Sequence, residues 1–318
     1  METQIPATMK AARVHAFGGP EAIEFEDIAV PRPGEGEILV KVAAAGVGPW
    51  DGWIRSGHSA LPQPLPLTLG SDISGVITAV GHDVMDFAVG EAVYGVTNAR
   101  FTGSYAEYAL ASAHMMAGKP ERLSHAQAAS VPVVAVTAWQ ALFEQARVDA
   151  GSTVLIHGAA GNVGTYAVQL AKQAGARVIA TGSAEAFKRL KALGADTVVD
   201  YRVERFEDVA QSIDTVIDLV GGETQARSFA VLKRGGVLIS AVSQPDAALA
   251  ERHGVTAKFF LVDVTTMHLT RLGEMIDAGE LIPSQVTTLP FAEVHKAHEM
   301  LDGLRLRPSG KVVLDVGG

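Results

Sequence analysis

The chain has 318 residues, 48% hydrophobic and 19% charged, with 26 Lys+Arg against 35 Asp+Glu, a net charge of −9 and no Cys. At roughly 150 residues per domain, this length and globular composition predict two domains. An acidic balance without a basic run excludes a phosphate-backbone binder; the missing Cys excludes disulfides, thiolate nucleophiles, iron–sulfur clusters and Cys-ligated zinc.

The opening Met1-Glu2-Thr3-Gln4-Ile5-Pro6 carries neither the basic nor the apolar region of a signal peptide. Up to about residue 125, short β-branched runs at 38–42, 75–80, 91–96 and 105–110 alternate with Gly and Pro. Pro31, Pro33, Gly34 and Gly36, then Pro62, Pro64 and Pro66, break any helical period, so this part reads as an all-β, loop-rich unit. The most apolar stretch, 131–143, is interrupted by Pro132, Thr137 and Gln140 and is too short for a bilayer that needs about 20 apolar residues. A cytoplasmic protein is the expectation.

Beyond residue 125 the pattern changes. Strands are expected at 153–157, 177–181, 197–200, 214–220, 236–242 and 256–262, with amphipathic helices at 163–174, 184–193 and 225–232. Nearly continuous apolar strands alternating with helices predict a parallel, doubly wound α/β sheet. Gly175, Gly194 and Gly235 fall where helices should end. From about residue 283 β-type segments return at 285–289 and 311–316, around a helix at 291–301. The expected organisation is therefore 1–125, an inserted sheet domain at 126–265, and a return to the first domain over 266–318.

The strongest motif follows the first of these later strands: Gly158-Ala159-Ala160-Gly161-Asn162-Val163-Gly164. A glycine loop between an apolar strand and a helix is the context that dinucleotide binding needs. Gly161 lets the backbone approach a pyrophosphate at the helix N-terminus, Gly164 permits close helix–strand packing, and Ala159 stands in for the first glycine of the usual pattern. The second strand ends Ala180-Thr181-Gly182-Ser183, without the carboxylate that normally holds a ribose 2′-hydroxyl. Ser183, Lys188, Arg189 and Tyr201-Arg202 suit a 2′-phosphate instead, although Glu185 is close. NADPH is the expected cofactor.

Together with Met9-Lys10-Ala11-Ala12, Phe17-Gly18-Gly19-Pro20, residues 45–57, Leu69-Gly70-Ser71-Asp72-Ile73-Ser74-Gly75, Val136-Thr137-Ala138-Trp139 and Gly310-Lys311-Val312-Val313-Leu314, this loop resembles the medium-chain dehydrogenase/reductase superfamily. Within it the chain is similar to the zinc-independent quinone oxidoreductases, the group that includes zeta-crystallin. The resemblance implies a Rossmann domain inserted into a GroES-like β-rich domain, an active site in the cleft between them, and a homodimer formed through the Rossmann sheets. The zinc dehydrogenases of the superfamily carry ligands at positions matching Gly48, Ser71 and approximately Val133, none with the donors zinc prefers. No metal is expected. His295 and His298, at i and i+3 on one helix, lack a third ligand and read as a solvated face.

The acceptor segment is expected at Gly48, Asp51 and Trp53, where the family usually has Asn for Gly48 and Tyr for Trp53. Trp50 and Trp53 fit either ring stacking on a planar acceptor or domain core. Asp51 and Arg55 fit a loop salt bridge better than an acid–base pair, and Tyr105 reads as structural. By resemblance, Thr137 either contacts the cofactor or packs its helix, and Ser243 flanks the nicotinamide. No Ser-His-Asp or paired-carboxylate constellation stands out, so no general acid is named and water is the expected proton source. The expected substrate is a quinone, the alternatives being an activated alkene (an enone or 2-alkenal) or a non-catalytic, crystallin-like NADPH binder.

Overall fold

The computed structural model describes residues 5–317; most of the opening segment read for a leader lies outside the described residues. β1 (Thr8–Val14) and β2 (Ile23–Ala29) form an antiparallel hairpin, from Thr8 opposite Ala29 to Val14 opposite Ile23. β3 (Glu37–Val47) leads into α1 (Pro49–Arg55), and β4 (Leu67–Thr68) joins the other edge of β1. Then come β5 (Asp72–Val80), β6 (Ala92–Val96), β7 (Tyr108–Ser112), β8 (Met116–Gly118), α2 (His125–Ala128) and α3 (Pro132–Trp139).

Strand and helix alternate from there: β9 (Thr153–Ile156), α4 (Asn162–Gln173), β10 (Arg177–Gly182), α5 (Phe187–Ala192), β11 (Thr197–Asp200), α6 (Phe206–Val209) and β12 (Ile213–Asp218). The series closes with α7 (Gly222–Ser228), β13 (Leu232–Ser240), α8 (Ala247–His253) and β14 (Thr256–Phe259). The C-terminal part holds α9 (Thr266–Asp277), β15 (Val286–Pro290), α10 (Val294–Leu301) and β16 (Lys311–Asp315).

The chain divides into two compact units: residues up to Val133 with those from Val264 onward, and Val134–Asp263 between them in sequence. The inserted unit is a six-stranded sheet of order β11-β10-β9-β12-β13-β14, every pair parallel. The strand order reverses between β9 and β12, which is the doubly wound Rossmann arrangement. Its central strands β9, β10 and β12 are largely buried, as expected of a parallel sheet; Leu155, Ile179, Val199, Val216 and Leu238 form one core cluster.

The other unit is the β-rich GroES-like fold, with a seven-stranded sheet of order β15-β16-β3-β5-β6-β8 and β7 also paired to β3. β16 runs antiparallel to β3, Val312 opposite Val47, so the C-terminal segment completes the N-terminal sheet. Its core gathers Val14, Ile38, Val40, Ile73, Tyr105, Val294 and Leu314.

Some expectations change. Gly235 does not end a helix; it lies within β13 at φ 79°, beside the register shift between Ile213 and Thr215, where a bulge needs the left-handed backbone. The strand expected from 105 starts at Tyr108, Ala106 making only an isolated bridge to Ala11. The hairpin β1–β2, α1 and α9 are additions to the sequence reading. Among the described residues, no helix is long and apolar enough to cross a membrane.

Candidate functional site

The glycine loop begins where β9 runs out. Gly158 takes φ 67°, a left-handed turn that a side chain resists. The turning glycine is thus Gly158, and Ala159, fully buried with its N–H on Thr181 O at 3.2 Å, needs no such freedom. Gly161 is the N-cap of α4 and offers no side-chain cap, leaving the first N–H groups of a 12-residue helix open. Asn162 and Val163 begin that helix, half-buried like Ala160. Gly164 is a contact glycine: a Cβ there would lie 2.5 Å from Ala159 Cα and 2.7 Å from its carbonyl carbon.

The other expected cofactor residues of this unit sit largely at the carboxyl ends of the parallel strands. Ser183 follows β10, Tyr201 follows β11, and Ser243 lies just past β13, the rim where open α/β sheets bind ligands. Ser243 is tethered, its hydroxyl and carbonyl each accepting from Gln225 Nε2 at 3.2 Å. Gln225 in turn donates to the buried Asp218 at 2.8 Å. Thr137 is buried in α3.

Two of the cations expected around Ser183, Arg202 and Arg189, are already engaged. Glu185 pairs with Arg202 Nη1 at 3.0 Å, and its pKa is lowered by a hydrogen bond from Ser183 and by Arg202. Arg202 lies over Tyr201, 5.8 Å from the ring centroid, and that ring is 62% exposed. The Arg189 guanidinium donates to Ala160 O, tying α5 to the glycine loop. Lys188 is exposed.

His157 escaped the sequence reading although it precedes Gly158 directly. Its ring meets Thr181 Oγ1 at 3.3 Å and Ser228 Oγ at 3.0 Å. Burial pulls its pKa down to about 4, so a neutral imidazole braces the strand end beneath the loop. Its place between an apolar strand and a glycine loop was the available signal.

The expected acceptor segment belongs to the GroES-like unit and forms the start of α1, Gly48 being its N-cap. Asp51 Oδ2 accepts from Gly48 N–H at 2.8 Å and from the Tyr105 hydroxyl at 3.0 Å. The loop salt bridge expected between Asp51 and Arg55 does not form. Both residues are buried, at i and i+4 on the inner face of α1. Arg55 instead pairs with Asp302 at 2.7 Å through both carboxylate oxygens and donates from Nε to His298 Nδ1 at 3.1 Å.

His298 is therefore a core residue, correcting the solvated-face reading. A guanidinium only donates, so Nδ1 accepts and the proton sits on Nε2; burial and Arg55 push its pKa down to about 3. Its partner His295 binds Ile23 O at 2.8 Å. Trp53 is 47% exposed. Trp50 is half-buried, its Nε1 donating to Ser71 Oγ at 2.9 Å.

Asp51 Oδ1 is buried without a partner, and burial drives the carboxyl up to about 7 against the opposing Gly48 bond and Lys311. Because the folded state then holds this proton more tightly than the unfolded chain, Asp51 makes stability fall as pH rises from about 4 to 7. His298 and His157 work in the opposite direction over the acid range. Asp51→Asn keeps an oxygen for Gly48 and Tyr105 but removes the titration. We expect the stability difference, variant minus wild type, to grow in the variant's favour from pH 4 to pH 7, read by urea unfolding at each pH; a flat difference would contradict this.

Comparison with known proteins decides the family. Residues 34–121 match the family described as alcohol dehydrogenase GroES-like domain, and residues 193–314 that described as zinc-binding dehydrogenase. The chain is 35% identical to the quinone oxidoreductase of Pongo abelii over 92% of its own length and 93% of the relative's. It is 34% identical to the 2-methylene-furan-3-one reductase of Solanum lycopersicum, over 98% and 80% of the two chains. The solved structure of Escherichia coli quinone oxidoreductase complexed with NADPH superposes with a TM-score of 0.86 at 27% identity, covering 96% and 99%. The chain belongs to the quinone oxidoreductase family of medium-chain dehydrogenases/reductases.

As a member of that family it is an oxidoreductase, and the family binds a nicotinamide cofactor. The positions expected to match the zinc ligands of the metal-dependent dehydrogenases make other contacts. Ser71 accepts the Trp50 indole, Gly48 lies at its ring edge, and Val133 N–H donates to Asp72 Oδ1 at 3.1 Å. Asp72 pairs with Lys311 at 3.0 Å, both buried. Among the described residues, His15, Glu24 and Glu26 alone converge closely enough to share a metal ion; they are on the β1–β2 hairpin, where His15 and Arg13 already engage Glu26.

Proposed function

We propose that this oxidoreductase transfers hydride from NADPH to a quinone. The observation that carries the cofactor reading is the glycine loop. A 12-residue helix without a side-chain cap begins just after Gly161, and the missing side chain at Gly164 lets its first turn pack directly on the Gly158–Ala159 backbone, so the residues present fit a dinucleotide pyrophosphate. Ala159, Ala160, Gly161, Asn162, Val163 and Gly164 hold the pyrophosphate; Thr137 and Ser243 flank the nicotinamide. Ser183, Lys188 and Tyr201 receive the 2′-phosphate, which takes the place of the Glu185 carboxylate on the Ser183 hydroxyl; β10 itself ending without a carboxylate supports the reading.

When bound, NADPH supplies the hydride; the chain's own task is orientation. Gly48, Asp51 and Trp53 form the acceptor segment, Asp51 acting from within the fold by fixing the Gly48 turn. A homodimer joined at the exposed sheet edge β14, and a cytoplasmic setting, belong to the same proposal.

The tomato relative's name favours a second reading, reduction of an enone at its β-carbon. Nucleotide oxidation against 1,4-benzoquinone, 9,10-phenanthrenequinone and an α,β-unsaturated ketone, each with NADPH and NADH, separates the two. Quinone turnover preferring NADPH is the expected result. Turnover of the ketone alone, yielding its saturated product, would replace the quinone reading.

Ser183→Asp places a carboxylate where the 2′-phosphate is proposed. The expected result is an NADPH KM raised about tenfold or more, worth about 1.4 kcal/mol, with the NADH KM unchanged. Equal KM values for NADPH in variant and wild type would displace the phosphate from Ser183.

A further inference from the structure

Three contacts fix the indole of Trp50. Its Nε1–H donates to the buried Ser71 hydroxyl at 2.9 Å. Lys311 Nζ stands 4.3 Å from the ring centroid, held there by its ion pair with Asp72. The benzo edge covers Gly48: a Cβ at that position would lie 2.5 Å from Cζ3 and closer still to Cζ2 and Cη2. No residue larger than glycine fits at 48 while the indole keeps this place.

Trp50 packs against the domain core, but core filling alone does not require these polar contacts. Burying an ammonium and a carboxylate is expensive even when they pair, yet here the ammonium is set against the ring of a residue that is only partly buried. An indole attracts such a cation through its quadrupole, and the contact removes the rotamer freedom that a partly exposed ring otherwise retains. The result is a flat, preorganised aromatic surface at the start of α1. Gly48 brings no side chain to an acceptor and Asp51 is sealed, so Trp50 holds the fixed ring of this segment.

We infer that Trp50 is the specificity-determining residue for the acceptor, its locked indole forming the wall against which a planar conjugated ring lies. Gly48 and Trp50 act as one device, the absent side chain at 48 making room for the ring. The inference rests on the proposed quinone reading and names its recognition element. Larger fused rings overlap the indole more and gain more from stacking.

The test compares wild type, Trp50→Ala, Trp50→Phe and Gly48→Ala against 1,4-benzoquinone, 1,4-naphthoquinone and 9,10-phenanthrenequinone. Trp50→Ala is expected to raise the phenanthrenequinone KM about five- to tenfold, the benzoquinone KM less, and the nucleotide KM not at all. Gly48→Ala will reproduce this pattern by displacing the indole, and Trp50→Phe will recover part of it. Unchanged ratios of acceptor KM in both Trp50→Ala and Gly48→Ala overturn the inference. Should Trp50→Ala not fold, Ser71→Ala removes only the indole's hydrogen-bond partner and must shift the ratios in the same direction.

A wild type that reduces no quinone refutes the proposed function rather than the wall. In that case saturable quenching of tryptophan fluorescence by phenanthrenequinone gives a dissociation constant without turnover. A weaker constant in Trp50→Ala, or in Ser71→Ala where that is the variant that folds, supports the wall, and an unchanged one or no saturable quenching overturns it.

Discussion

Gly164→Val will lose nucleotide binding while Gly161→Ala keeps the fold, and the contrast follows from where each added Cβ would go. At 164 the new atom meets the Ala159 backbone at 2.5–2.7 Å and Gly158 O more closely still. Backbone cannot swing aside as a side chain does, so α4 must move away from the loop. Such overpacking typically costs about 1–3 kcal/mol in stability. The shift also carries the helix N-terminus away from the position where it would face a phosphate. A displacement of about 1 Å in positioning is enough to lower kcat/KM on the order of 100-fold.

At 161 the nearest atom, Gly158 O, is 3.2 Å away and the backbone is extended at φ −75°. Alanine there leaves the melting temperature nearly unchanged but stands in the path of the pyrophosphate. Its nucleotide KM will rise about tenfold, equivalent to about 1.4 kcal/mol. Thermal unfolding with and without NADPH separates the two variants. If Gly164→Val still gained thermal stability from the nucleotide as wild type does, the cradle would be misplaced.

These glycines were legible in the sequence because spacing and context encode them: an apolar strand, a turn, then a helix whose contact face needs a missing side chain. The Rossmann strands were legible for a related reason, since strands buried on both faces are apolar without alternation. The misreadings share a different cause. Asp51, Arg55 and His298 look like surface residues, and sequence spacing alone says nothing of a partner 243 positions away, such as His298 for Arg55. Burial of a polar residue is decided by what the distant chain brings to it.

Lys311 and Asp72 are a further case, separated by 239 positions and joined only once β16 pairs with β3. Gly48, where the family usually has Asn, also belongs to a pair that spacing does not announce, because a side chain there would meet the indole two residues later.

Lys311→Met will be the most destabilising single change among the buried polar residues, and most of its cost can be restored at a second site. The variant leaves the Asp72 carboxylate buried with only the Val133 N–H at 3.1 Å. Breaking a buried pair from one side typically costs about 3–5 kcal/mol. Burial already raises the Asp72 pKa, and Lys311 opposes that rise, so without the ammonium the carboxyl holds its proton to higher pH. The unfolded chain releases that proton near the ordinary carboxylate value, so the variant's stability falls as pH rises above it. Its deficit relative to wild type will accordingly be smallest in acid and largest toward neutral pH. Adding Asp72→Asn removes the orphaned charge while keeping an oxygen for Val133, and the double variant is expected to recover more than half of the loss. Urea unfolding of wild type, both single variants and the double variant across pH completes the cycle. Additive losses in the double variant would mean that Lys311 and Asp72 act independently, and that the ammonium at the Trp50 ring is held by something other than its carboxylate.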